Sequence, residues 1–294
     1  MSKRIVILTD GADRHFYFCN RLVKETGTVV GIVTGGKEIN RGRFEELHRS
    51  VSRHPSQGLK QLYYRKRYTA YGNALKREKR DAEGQYFGGQ EAAFRAAHGD
   101  LVIGHVNSQY RSINDDRFVD IIRNVRPDII AVMGTCMLGR KIMDSAACVL
   151  NMHTGLSPYY RGGRTNFWPF VENVPGYFGV TVHKMSPGID SGDIIHSQRV
   201  LVEPGDTYAT INCKSIVAGT GLMIDALSRI EAGTCKSLPQ WTTGKVFFDR
   251  DWTFKAAKTY FENRETLVRQ HIAGEQRGEF SHIRIVRNGR MVDG

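Results

Sequence analysis

No two of the five cysteines form a CxxC pair; Cys19, Cys136, Cys148, Cys213 and Cys235 are scattered along the chain. An odd, dispersed set argues against both a disulfide framework and a thiolate zinc site, so most of them read as small buried hydrophobes and no metal is expected. Long apolar runs are missing as well. "DIIAVMGTCML" is among the longest, well short of the ~20 residues that a helical membrane span needs. No small-residue cleavage site follows the opening "MSKRIVILTDG". That stretch reads as a first strand rather than a signal peptide, and the chain as cytoplasmic with no membrane partner. Internal repeats and low-complexity linkers are also absent. With 40% hydrophobic and 24% charged residues among 294, the composition is globular and large enough for one main domain with a C-terminal appendage.

Acidic charge is in short supply: 30 Asp and Glu stand against 42 Lys and Arg, a net charge of +12. The surplus is local. Residues 41–80 hold 12 Lys and Arg and 3 Asp and Glu, which leaves only +3 for the rest of the chain. One segment therefore carries the basic character. It can meet phosphates on a small substrate, a nucleic acid, or only water.

What is present is an alternation. "RIVILT", "TVVGIVT", "DLVIGHV", "DIIAVMG" and "CVLNMH" are short apolar runs rich in β-branched residues, the pattern of buried strands. Between them, "RHFYFCNRLVKETG" sets Phe18, Leu22 and Val23 at helical spacing with Gly27 as a stop, and "INDDRFVDIIRNVRP" reads as another helix. Such alternation predicts an α/β fold, a Rossmann-like, mostly parallel sheet with helices on both faces. Residues 41–98 interrupt it with a helical insertion, broken at Pro55 and Gly58 and carrying Tyr63, Tyr64, Tyr68, Tyr71 and Phe87. This insertion is either a solvated excursion or a wall of the substrate pocket. Further on, "TNFWPFVENV" predicts a short helix, and "YFGVTVHKM" and "DIIHSQRVLV" an antiparallel arm around "SPGIDSG". A helix capped by Asp206 or Thr207 and ended by Gly233, a helix over 252–272, and a hairpin turning at Asn288-Gly289 complete the chain. The division expected is a catalytic unit, 1–205, and a helical tail with a small hairpin, 206–294.

The candidate chemistry lies in "LNMHTGLSPYYRGG" and "SPGIDSG". Asn151 and His153 are two apart at the end of a strand, so both side chains leave an extended backbone on one side. Ligands of parallel sheets bind beyond such strand ends. An amide and an imidazole there can address one oxygen, as acyl transfer requires when negative charge develops on a carbonyl. Asp190, at the apex of a glycine-bounded loop, can fix the His153 tautomer and help move a proton. Asp193 is a rival carboxylate, but its place at the root of a strand suits turn closure.

The blocks "LNMHTGLSPYYRGG" and "GVTVHKMSPGIDSGDII" resemble the folate-dependent formyltransferase family, marked by Asn-x-His, an "LLP-x-x-RG" loop and "GVT-x-H … G-x-D-x-G-x-I". That family includes the glycinamide ribonucleotide, methionyl-tRNA and nucleotide-sugar formyltransferases. The resemblance covers roughly residues 100–205, and the opening strand and helix loosely. It implies the formyltransferase fold and 10-formyltetrahydrofolate as co-substrate. Asn151 would hold the formyl oxygen, His153 would stabilise the oxyanion, and Asp190 would orient His153 and assist proton removal from the amine. It also implies a pterin slot made by Cys136, Met137 and Leu138 with Pro187, Gly188 and Ile189. Two departures stand out. Ser157 in "GLSP" replaces an apolar residue and is expected to alter the loop surface facing cofactor or substrate. "TDGADRHF" replaces a glycine-rich phosphate turn, which leaves Arg14 and His15 either as side-chain substitutes or as first-turn surface residues. Tyr159 and Tyr160, with Phe167 and Trp168, either stack on a base or sugar, with Arg161 beside them, or pack the loop on the sheet. The acceptor expected is a small phosphorylated or nucleotide-linked amine such as an amino sugar. Glycinamide ribonucleotide and methionyl-tRNA are the alternatives. A nucleic-acid-binding module built on an inactive transferase fold is the alternative of another class. A homodimer is compatible with the apolar helix faces.

Overall fold

The computed structural model describes residues 2–35 and 55–294, so residues 41–54 of the basic insertion lie outside the described residues. Strands β1 (Ile5–Thr9), β2 (Val29–Thr34), β3 (Val102–His105), β4 (Ile129–Met133) and β5 (Cys148–His153) are parallel. Two three-residue strands, β6 (Tyr160–Gly162) and β9 (Lys245–Phe247), pair with each other away from them. β7 (Gly179–Lys184), β8 (Ile194–Arg199), β10 (Arg284–Arg287) and β11 (Arg290–Asp293) extend the main sheet with antiparallel neighbours. The order across that sheet is β11-β10-β8-β7-β5-β4-β1-β2-β3. The runs without polar alternation are explained by burial on both faces. In β1, Ile5 and Ile7 enter one core while Val6 and Leu8 enter another.

Helices cover both faces. α1 (Asp13–Thr26) buries Phe16, Phe18, Cys19 and Leu22 and ends at Gly27 in the left-handed region. The insertion comprises α2 (Pro55–Phe87) and α3 (Gln90–His98). α4 (Asp116–Asn124) and the single turn α5 (Arg140–Met143) lie over the opposite face. α6 (Trp168–Glu172) follows the site loop, and α7 (Tyr208–Glu231) and α8 (Phe254–Gln276) close the chain's helices. Thr207 caps α7, its hydroxyl accepting from the Thr210 amide.

The insertion departs from expectation in where it breaks. Pro55 is the first residue of α2, where a missing N–H costs nothing, and Gly58 lies inside the helix. The irregular residue is Tyr68 (φ −121°, ψ 18°). The stop comes at Gly88 and Gly89. The reason is packing along α8: Tyr64, Tyr68 and Tyr71 touch ring to ring, Tyr71 meets Phe261 at 5.9 Å, and Leu75 is buried. Glu78 then accepts from Tyr260 and from Arg264.

The boundary expected at 205 falls inside continuous structure. α7 buries its apolar side in the same core as β1, β4 and β5. The C-terminal hairpin joins the sheet through β8. Its Asn288-Gly289 turn has both residues at positive φ, 47° and 70°, the geometry of a two-residue hairpin loop. Among the described residues, no helix is long and apolar enough to cross a membrane.

Candidate active site

Alternation along β5 divides its side chains. Leu150 and Met152 enter the core with α7, which puts Asn151 and His153 on the other face. β7 runs antiparallel beside it in register Asn151↔His183 and His153↔Thr181. Residues directly opposite share a face, so His183 meets Asn151. The loops after β5 and β7 close over this face. Thr181 donates to the Gly155 carbonyl and accepts from the Ser157 amide.

Asp190 brings the cluster together. It sits in the left-handed region at φ 44°. Its Oδ1 accepts from the Asn151 amide at 3.1 Å and lies 3.4 Å from His183 Nε2. Its Oδ2 accepts from the Gly162 N–H at 2.8 Å and lies 3.3 Å from His153 Nδ1. The other nitrogen of His153 is 3.2 Å from the Tyr160 carbonyl. His183 Nδ1 donates to the Lys184 carbonyl at 2.8 Å, and its Nε2 is 3.2 Å from the Asn151 amide nitrogen. Gly162 has φ 90°, and a Cβ there would run into the Phe247 carbonyl, so only glycine aims this N–H at the carboxylate.

Burial and charge set the protonation states. Burial alone would raise the Asp190 pKa, but His153, His183 and the Gly162 N–H together outweigh it and hold the carboxyl well below the usual range. Burial pulls His153 below its ordinary 6.5, against the attraction of Asp190. The site at neutral pH is thus an ionised carboxylate between a neutral imidazole and an amide. It can hold a hydrogen bond on a developing oxyanion and accept a proton.

His183 is the member that the sequence reading did not single out. Its signal was there in "GVTVHKM", an imidazole in a strand whose neighbours Val180 and Val182 are fully buried. Asp193 closes a turn, its carbonyl accepting from Lys184 and its carboxylate from Ser237.

The other expected residues fall in different places. Cys136 and Leu138 pack in one apolar cluster with Val149 and Met185, while Met137 is 72% exposed. Asn114 pins this segment by donating to the Met137 carbonyl and accepting from the Gly139 amide. Pro187 and Gly188 are exposed and Ile189 is half-buried. The two expected slot segments thus mix packed and open side chains. Arg14 is ion-paired to Glu83 at 2.7 Å, and His15 is buried against Gly134. Neither side chain is free in the first turn as a phosphate ligand would be. Tyr160 is buried, donates to Glu172 at 2.6 Å and stacks on Phe247. Tyr159 sits between Tyr177 and Trp241, and Phe167 and Trp168 are in the core. These rings dock the loop on the C-terminal segment, through Trp241 and Phe247, with Tyr159 left half-buried. Arg161 donates to the Thr243 carbonyl. Ser157 is fully buried, so its departure lies beneath the loop surface.

Residues 83–227, which contain the whole cluster, match the model of the formyl transferase family. That stretch is a formyl transferase domain. A methionyl-tRNA formyltransferase of Burkholderia orbicola (strain MC0-3) is 30% identical over 156 residues, 52% of this chain and 47% of its own length. The chain thus spans about half the length of the curated relatives it matches. Two crystal structures share the fold. An N-formyltransferase from Helicobacter canadensis, in complex with folinic acid and dTDP-3-aminofucose, gives a TM-score of 0.54 at 14% identity, covering 90% of this chain and 82% of that one. A phosphoribosylglycinamide formyltransferase from Anaplasma phagocytophilum gives 0.54 at 13%, covering 85% and 99%. The formyltransferase sheet and its flanking helices agree with what strand alternation predicted.

Proposed function

We propose that this chain transfers the formyl group of 10-formyltetrahydrofolate to the primary amine of a small phosphorylated or nucleotide-linked acceptor, such as an amino sugar. The observation that carries the reading is the meeting of Asn151, His153 and Asp190, with the carboxylate ionised and the imidazole neutral. The amine nitrogen adds to the formyl carbon. Asn151 and His153 hold the oxyanion, and Asp190 orients His153 and takes the ammonium proton, directly or through water. The bond from carbon to N10 then breaks, N10 gains a proton, and a formamide and tetrahydrofolate leave. The segments with Cys136, Met137, Leu138, Pro187, Gly188 and Ile189 would receive the pterin. A cytoplasmic setting goes with the reading, since all five cysteines are free thiols.

The acceptor is the finer part of the proposal. The H. canadensis structure holds a nucleotide-linked amino sugar, which favours that class. The names of the curated relatives favour methionyl-tRNA as the second candidate. A non-enzymatic nucleic-acid module would have no use for the buried cluster. Turnover with 10-formyltetrahydrofolate against amino-sugar nucleotides, glycinamide ribonucleotide and methionyl-tRNA, read as formyl mass on the acceptor, tests the proposal. Mass gain on a sugar nucleotide supports it, gain only on methionyl-tRNA moves the acceptor, and gain on none contradicts it.

A further inference from the structure

The family match ends at residue 227, yet the Asp190 loop is held from beyond it. The Gln240 Nε2 group donates to the backbone carbonyl of Asp190 at 2.6 Å and to that of Gly192 at 3.0 Å. The same C-terminal segment steadies the other side of the carboxylate. β9 pairs with β6, and the Gly163 amide donates to the Phe247 carbonyl at 2.7 Å, next to the Gly162 N–H that Asp190 accepts.

Asp190 needs such support. A non-glycine residue at φ 44° keeps that conformation only where its surroundings impose it. One amide bridging the carbonyls on either side of Ser191 fixes both peptide planes, and with them the direction in which the Asp190 carboxylate leaves the chain. The other atom of the carboxamide makes the same point. Gln240 Oε1 is buried without a hydrogen-bond partner among the described residues, which costs free energy. An apolar side chain of equal length would pack there without that cost, so it is the NH2 group that the position uses.

We infer that Gln240 is a positioning residue for formyl transfer, clamping the 190–192 loop so that Asp190 faces His153 and Asn151. The inference rests on the role proposed for Asp190. It makes the active site a joint product of the matched domain and the segment that follows it.

Two variants test it. Gln240→Met keeps the length and removes the donors. Gln240→Glu sets carboxylate oxygens against two carbonyl oxygens. With folding checked by thermal melting, kcat is expected to fall about 10-fold in the first and about 100-fold in the second, as small misplacements of a catalytic group do, with KM for the folate donor unchanged. The His153 imidazole, followed by nitrogen NMR, is expected to titrate at lower pH in Gln240→Met, because the carboxylate facing it has moved. A folded Gln240→Met protein with wild-type kcat and an unchanged His153 titration overturns the inference. If the wild-type chain transfers no formyl group to any amine, the proposed function fails, and the imidazole titration still decides the part played by Gln240.

Discussion

Each member of the cluster is asked for something different. Asn151 supplies an uncharged N–H that is already hydrogen-bonded to Asp190, so it is oriented before any substrate arrives. Removing one preorganised donor of this kind costs roughly 2.7–4 kcal/mol of transition-state stabilisation, or about 10²–10³-fold in kcat. Asn151→Ala is expected to show that loss in steady-state kinetics with little change in donor KM. A loss under about threefold would assign Asn151 to the fold rather than to the oxyanion. The pair Asn151 and His153 was legible in the sequence because a strand's period of two puts them on one side. His183 stood out locally only as an imidazole in a strand-like run; its meeting with Asn151 depends on the register between β5 and β7, which the run itself does not carry. Ser157 shows the converse: a polar residue read as surface is fully buried.

At the scale of elements, strands buried on both faces announced themselves, since β1 and β4 have no polar alternation to mislead. β6 and β9 were invisible. Each has three residues, and their partners lie 82 or more positions apart in the chain, as the Arg161 side chain's bond to Thr243 also shows. Yet this small sheet aims the Gly162 N–H at Asp190. Gly162→Ala is expected to force a Cβ toward the Phe247 carbonyl, to cost about 1–3 kcal/mol of stability, and to lower kcat as well. Thr207→Ala provides the contrast: loss of the α7 cap costs about 1 kcal/mol and leaves kcat unchanged. Denaturant unfolding alongside kinetics checks both. If the two variants lose stability alike and neither loses kcat, β6 has no part in the site.

At the scale of the whole molecule, burial depresses the pKa values of three histidines among the described residues: His153, His196 and His271, the last to about 4. In the unfolded chain each takes a proton near ~6.5. Below that pH the unfolded state binds more protons than the folded one, so stability is complete above it and falls as the pH drops toward 4. Asp190 acts later: its contribution is present above the ordinary carboxylate value and is lost only as the pH falls through its depressed one. Melting temperatures are expected to hold above about pH 6.5 and decline below it. His271→Phe, between Phe178 and Phe280, is expected to flatten the decline. A melting temperature independent of pH over that window would contradict this.

At the same scale, the chain joins a matched domain to a C-terminal segment that shares its sheet and braces its site. The central claim is that this assembly transfers a formyl group through Asn151, His153 and Asp190. Formyl transfer from 10-formyltetrahydrofolate by wild-type protein and by His153→Ala, with donor binding followed by calorimetry, tests it most directly. The prediction is transfer by the wild type, a loss of at least about 100-fold in His153→Ala, and donor binding retained in both. Equal transfer by the two proteins, with equal binding, would contradict it.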